Sequence, residues 1–465
     1  MPPLEDPTTT TTLVIAGGTV VDPDGTVRAD VTIDDGVVAA VGPADDAIDD
    51  GATVVDASGL LVLPGFVDTH VHLMDPGATD REDVPTGTAA AAARGVTTLV
   101  EHTHAAPVRR AEDMTWKLDA ITGRAHVDVG VAAHVWPDDL LHLEATWLAG
   151  VTFFKIFTCS THGVPAVEGD VLRTAFDTIA AFDGRCLVHC EDDAVTAANE
   201  ATLRAAGRTD GGIVPAWRSR DAELAAVRAV AELAAATGVR ATIAHVSSPE
   251  IAFAIEDGRR AGADLAAEAC PQYLTLTEDE VVEHGAFRKF TPPARARDTD
   301  DLEAMWSLLA AGVLTHVATD HAPSTRAQKL DGDIWEAPFG LPGLDTTSRV
   351  LFDAVHRGVL AWPDVVQRYA REPARRYRLW RKGRLEAGAD ADVALVDPDA
   401  TVTIRDEDVI SKAGWTPYAG RTTRGDVVAT FLRGREVARD GAPTGERAGR
   451  FVPGPGAASA AGARR

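Results

Sequence analysis

Cysteine is nearly absent from this 465-residue chain: Cys159, Cys186, Cys190 and Cys270 are the only four, and no two are spaced Cys-x-x-Cys. That spacing argues against a disulfide framework and against a zinc knuckle. Cys186 and Cys190 flank an apolar Leu-Val-His run and read as small core residues, whereas Cys159, just after Lys155, admits three readings: packing, a pocket wall or, less favoured than packing, a nucleophile. Lysine is almost as scarce. Only Lys117, Lys155, Lys289, Lys329, Lys382 and Lys412 occur, so arginine carries most of the positive charge against 70 acidic residues. The formal net charge of -25 disfavours nucleic acid as a partner, because a phosphate backbone demands a basic face. Acid in excess with Arg in place of Lys fits a salt-rich cytoplasm, where carboxylates keep the surface hydrated and ions screen their repulsion. A GC-rich genome explains the Arg and Ala but less of the acid. No apolar run reaches the roughly 18 residues that cross a bilayer, which argues against a membrane partner. Residues 1–12 lack the basic start and apolar centre of a signal peptide, so a cytoplasmic location is expected.

What is present is long enough for a large catalytic unit and a smaller one. The first 60 residues read as short β elements: Leu13-Val14-Ile15-Ala16, then Thr19-Val20-Val21, a turn at Asp22-Pro23-Asp24-Gly25, and a hairpin around Asp34-Asp35-Gly36. Pro presets φ and Gly accepts positive φ, which makes such turns strong signals. Residues 386–452 return to the same texture, in Asp392–Val396, Val402–Ile404 and Val427–Leu432. Between 61 and 385, strands alternate with helices, among them 221–236 and 300–311. The expected organisation is therefore α/β: a (β/α)8-type barrel over 61–385, a small β-sandwich from 1–60 and 386–452, and a disordered Gly/Ala/Pro-rich tail at 453–465.

The segment Pro64-Gly65-Phe66-Val67-Asp68-Thr69-His70-Val71-His72 carries the first chemistry. Residues i and i+2 of a strand point to one face, so His70 and His72 can offer two imidazoles to one metal ion. A chance pair of histidines is the alternative. Three further short apolar runs end in a metal-capable group, at Lys155, His189 and His245, and a fourth reaches Asp320. In parallel α/β sheets, chemistry collects at the C-terminal strand ends.

An ordinary lysine is a poor ligand, because its ammonium has no lone pair. Buried behind Phe153 and Phe154, Lys155 can lose its proton and add CO2, giving a carbamate able to bridge two cations about 3.5–4 Å apart. A salt-bridged surface lysine is the alternative. Two divalent cations would lower the pKa of a shared water, and Asp320 is placed to accept its proton and pass it to a leaving nitrogen, or to ligate a metal.

With these residues in place the chain resembles the cyclic amidohydrolases of the amidohydrolase superfamily, that is, hydantoinases (dihydropyrimidinases), allantoinases and dihydroorotases. The resemblance runs from Ile15-Ala16-Gly17-Gly18-Thr19-Val20-Val21-Asp22 to Arg433-Gly434-Arg435. It implies a TIM-like barrel with a β-sandwich made from both chain ends, a small-molecule cyclic amide substrate, and a homo-oligomer, tetramer or dimer. It also implies two divalent metal ions, zinc being the expected one, held by His70, His72, N6-carboxylated Lys155, His189, His245 and Asp320, with Asp320 as proton shuttle. Dihydroorotases usually carry Arg two residues after the second His, where this chain has Met74. Hydantoinases typically carry Tyr five residues after the lysine, where this chain has Ser160. The segments Val188-His189-Cys190-Glu191, Val246–Glu250 and Ile334–Ala337 look more like allantoinase. Thr291 of Thr-Pro-Pro-Ala-Arg and Gly340 of Gly-Leu-Pro-Gly match loops that contact the cyclic amide. Glu101-His102-Thr103-His104 departs from the family pattern, so His102 and His104 are either substrate contacts or plain loop residues; Ser160 and His162 are further pocket candidates. The order of expected substrates is allantoin, giving allantoate, then hydantoins or dihydropyrimidines, then dihydroorotate. A non-catalytic scaffold is the reading from another class, and retention of all six metal-site residues speaks against it.

Overall fold

The apolar stretch that ends in His72 is not one strand. Pro64-Gly65 divides it into Leu61–Pro64 and Phe66–Val71, which enter different sheets. Gly65 is required at the break, since a Cβ there would collide with the side chain of Thr97. In this computed structural model, which describes residues 12–457, Leu61–Pro64 pairs antiparallel with Val393–Val396 and parallel with Thr19–Val20. The unit built from the chain ends thus reaches four residues past the expected boundary at 60.

Phe66–Val71, Val96–Glu101 and Asp128–Val131 form a three-stranded parallel sheet. Ala133–His134, Phe154–Phe157, Arg185–His189, Arg240–Ile243, Asp264–Ala269 and His316–Val317 form a six-stranded one, also parallel throughout. Hydrogen bonds link the two sheets at both ends: Thr152 N, just ahead of Phe154–Phe157, donates to Val131 O (2.7 Å), and His72 N, just past Val71, donates to His321 O (2.8 Å). Every residue of Phe66–Val71 is buried, as suits a strand covered on both faces. Helices connect the strands, and their ends follow from local chemistry. Arg220–Thr237 starts at Ser219, whose side chain accepts from Ala222 N, and stops at Gly238 with φ 72°. Thr299–Ala310 starts at Asp298, which accepts from Asp301 N.

Two further sheets use the chain ends. One has four strands, all from the N-terminal part; the other has seven and interleaves Thr19–Asp22, Gly25–Arg28 and Leu61–Pro64 with Val393–Thr403, Thr422–Leu432, Arg435–Arg439 and Ala442–Pro443. A buried ionic clamp ties this sheet to the parallel strands. Lys382 Nζ lies 2.6, 2.9 and 2.8 Å from carboxylate oxygens of Asp128, Asp390 and Asp392. Residues 453–457, expected in a disordered tail, instead pack: Gly454 N donates to Gly150 O at 2.7 Å, and Gly454 and Gly456 are buried. Their glycines sit so close to the backbones of Val151 and Trp147 that a Cβ would clash. The rest of that tail, 458–465, lies outside the described residues.

Candidate active site

His70, His72, Lys155, His189, His245 and Asp320 all line one cavity, together with His104, His162, Phe157, Phe290, Thr291, Ala322, Phe339 and Gly340. The register explains the convergence. Phe157 pairs with His189 and Lys155 with Leu187, so Lys155 lies inside its strand, two residues deeper than His189. His245 and Asp320 lie just past their strands. Both adopt left-handed backbone, φ 38° and 49°, as does Met74 at 57°. For a non-glycine residue such as His245 that conformation stores strain on the order of 1–3 kcal/mol, the kind of cost that collects at functional sites.

The imidazoles are locked from behind. His70 Nδ1 donates to Glu268 Oε1 (2.6 Å), His72 Nδ1 to the carbonyl of His102 (3.2 Å), and His189 Nε2 to Glu191 Oε2 (2.7 Å). Each bond fixes a tautomer and leaves the other ring nitrogen with a lone pair. Those nitrogens face one another and the carboxylate. His70 Nε2 is 3.1 Å from Asp320 Oδ1 and 3.3 Å from Lys155 Nζ, while His72 Nε2 is 3.5 Å from the same oxygen. His189 Nδ1 is 2.9 Å from His245 Nε2. Burial, the largest effect on each, holds all four imidazoles below their ordinary pKa and therefore neutral. Burial likewise lowers the Lys155 ammonium, against the pull of Glu268 and Asp320, and raises the Asp320 carboxyl, against Lys155. Four neutral imidazoles, a carboxylate and a lysine pressed toward its free amine suit divalent cations of borderline softness.

Two carboxylates behind the site carry no role in the expected ligand set. Glu191 accepts from His189, from Thr291 Oγ1 (2.7 Å) and from Arg218 Nη1 (3.2 Å). Burial would raise its pKa, but Arg218, His189 and Thr291 outweigh that and hold it at about 2. Glu268 accepts from His70 Nδ1 and from the backbone N–H of His245 (3.0 Å). Its signal in the sequence is a lone acid inside Leu265-Ala266-Ala267-Glu268-Ala269, where a buried carboxylate needs a purpose. Behind these, Asp68 accepts from Thr319 N, His70 N and Tyr369 Oη.

The remaining candidates divide. Thr291, Gly340, His104 and His162 line the cavity, and the rings of His104 and His162 stack at 4.4 Å. His102 does not line it. Its ring packs 4.6 Å from those of His70 and His72, and its carbonyl orients His72 and His134. Ring nitrogens of His70, His72 and His102 lie within 4.8 Å of one another, so His102 is within reach of a ligand position. Ser160, expected at the substrate, is exposed and does not line the cavity; its N–H donates to Asp193 Oδ1 at 2.6 Å. Cys159 is buried against Arg218 and Glu191, with its thiol pushed up to about 12, chiefly by burial. That environment suits packing and not nucleophilic attack.

A family model described as the amidohydrolase family matches residues 61–437. The chain belongs to the amidohydrolase family. It is 36% identical over 454 residues to an allantoinase of Rubrobacter xylanophilus, covering 95% of this chain and 97% of that protein. A Streptomyces avermitilis allantoinase is 36% identical over 434 residues, covering 92% and 96% respectively. Among solved structures, the L-hydantoinase (dihydropyrimidinase) of Arthrobacter aurescens superposes with a TM-score of 0.90 at 28% identity, covering 96% of this chain and all of that one. The dihydropyrimidinase of Brevibacillus agri NCHU1002 gives 0.89 at 29% identity, covering 95% and 98%.

Proposed function

We propose that the protein is a binuclear metal-dependent hydrolase that opens the ring of allantoin to give allantoate. The observation that carries the reaction class is the set of imidazole lone pairs, Lys155 and Asp320 converging on one buried cavity. Two divalent cations, zinc first, would supply Lewis acidity and a water ionised near neutral pH. His70, His72, His189, His245, Asp320 and N6-carboxylated Lys155 are the residues that would hold them. Asp320 takes the proton of the attacking water on its carboxylate and delivers it to the departing ring nitrogen. Thr291 and Gly340 orient the ring from the cavity wall, and Glu191 and Glu268 keep His189 and His70 in their tautomers.

The substrate choice rests on two supports. The relatives at 36% identity are named allantoinases over nearly the whole chain. Among the described residues none that lines the cavity carries a guanidinium, and Met74 holds the position at which the resembling dihydroorotases carry Arg, which favours an uncharged ring. Hydantoins and dihydropyrimidines are the second reading, favoured by the solved structures that superpose. We further read the two joined parallel sheets as one closed (β/α)8 barrel, and the four- and seven-stranded sheets as a β-sandwich beside it. No helix among the described residues is long and apolar enough to cross a membrane.

The test is turnover of allantoin by purified protein supplied with zinc or cobalt and bicarbonate, with allantoate identified as product. Turnover of hydantoin or dihydrouracil in its absence would transfer the assignment to the second reading.

A further inference from the structure

The wall of the cavity that carries Phe339 and Gly340 is built in an unusual way. In the segment Trp335–Gly340, every residue but Glu336 turns its carbonyl onto a cationic side chain. Lys289 Nζ donates to Trp335 O (3.0 Å) and Ala337 O (2.5 Å). Lys329 Nζ donates to Pro338 O (2.7 Å), Gly340 O (2.8 Å) and Lys289 O (3.4 Å). Arg81 Nη2 reaches Phe339 O (3.4 Å), and its Nε donates to Pro323 O (3.0 Å). Lys289 O in turn accepts from Gly340 N at 2.9 Å, and Lys289 Nζ sits 4.4 Å from the centre of the Phe339 ring.

Two features set this arrangement apart. The chain has only six lysines and 70 acidic residues, yet two of the six are buried here. None of the three cations makes an ion pair with a carboxylate among the described residues. An ammonium has three N–H donors, and Lys329 meets three carbonyl oxygens. A buried cation without an acid is costly unless its donors are all used, a condition Lys329 meets in full, so its ammonium and the loop conformation require each other. The path is also confined sterically. Gly340 has φ 111°, and a Cβ there would collide with the carbonyl of Ala322.

We propose that Arg81, Lys289 and Lys329 are positioning residues that fold Trp335–Gly340 into a carbonyl cage and so hold Phe339 and Gly340 as a wall of the substrate pocket. The role rests on the reading of this cavity as the substrate site. None of the three side chains lines the cavity itself; each acts through the main chain it gathers. Lys289 precedes Thr291 by two residues, so its clamp also fixes the second wall of the ring site.

The test uses the zinc-loaded, full-length enzyme and its Lys329→Ala variant, with the ring the wild type turns over. Removing the ammonium should lower kcat/KM about 10- to 100-fold, mostly through KM, as misplacement of substrate-positioning groups does. Metal content should stay at the wild-type level. n-Propylammonium matches the atoms removed and should restore the loss; tetramethylammonium, which has no N–H, should not. Backbone hydrogen exchange over 335–341 should accelerate while the strand Arg240–Ile243 stays protected. Faster exchange with unchanged KM overturns the positioning role and counts against the cavity as substrate site. Unchanged exchange overturns the cage and leaves that reading standing. Restoration by both cations alike also overturns it. Should Lys329→Ala fail to fold, Lys289→Met keeps the apolar stem over Phe339 and carries the same expectations, with an unchanged KM again contradicting the proposal.

Discussion

At the scale of single residues, the site divides into side chains that face the cavity and side chains that aim them. Asp320 belongs to the first set. Asp320→Asn keeps size and backbone preference but cannot take the proton, so kcat should fall about 10²- to 10⁴-fold, checked by steady-state kinetics on metal-loaded protein. Glu191 belongs to the second. Glu191→Gln weakens the grip on His189 and leaves buried Arg218 without its carboxylate. Metal affinity or activity should drop about 10- to 100-fold, read by zinc titration against a competing chelator. The cavity-facing set is largely legible in the sequence, because a His pair at i and i+2 and polar groups at the ends of several apolar runs seldom coincide without a common ligand. The aiming set is not. Glu268 on its strand looks like any acid until His70 Nδ1 is found 2.6 Å away, across 198 residues of chain. Ser160 is not placed by its spacing from Lys155 either: it is exposed outside the cavity, with its N–H on Asp193 Oδ1.

Elements are legible where punctuation is strong. Ser219 and Gly238 bracket a helix within a residue or so of the expected ends, and Pro-Asp-Gly marks the turn between Thr19–Asp22 and Gly25–Arg28. What periodicity does not reveal is that an apolar run splits between sheets. The strand Leu61–Pro64 reads as continuous with Phe66–Val71, and their division at Gly65, packed against Thr97, shows only in the sheets they enter. The clamp between elements is equally invisible, since Lys382, Asp128, Asp390 and Asp392 carry no motif. Burial alone would lower Lys382, but Asp392, Asp128 and Asp390 outweigh it and hold the ammonium above its ordinary 10.5. The folded pKa being raised, this stabilisation is complete below about pH 10.5 and is lost as pH rises through the folded value. Lys382→Met would leave three buried carboxylates short of a partner and should destabilise the fold by about 3–5 kcal/mol near neutral pH. Denaturant unfolding near neutral pH and again at strongly alkaline pH checks this, and the gap between variant and wild type should narrow at the higher pH.

For the whole molecule, charge and architecture make separate statements. A net charge of -25 stores self-repulsion that salt screens over about 10 Å at 0.1 M and about 3 Å at 1 M. The melting temperature should therefore rise between dilute buffer and about 1 M potassium chloride; a melting temperature that falls with salt would contradict the expectation. Architecture brings six side chains from five strands to one cavity, the arrangement that two cations bridged through a carboxylated Lys155 would need. Metal content and turnover of the Lys155→Ala variant, measured with and without added short-chain carboxylic acids, test that bridged pair most directly. The expected result is loss of metal and of ring-opening activity, both partly recovered by the acids. A variant that keeps its metals and full turnover would contradict it.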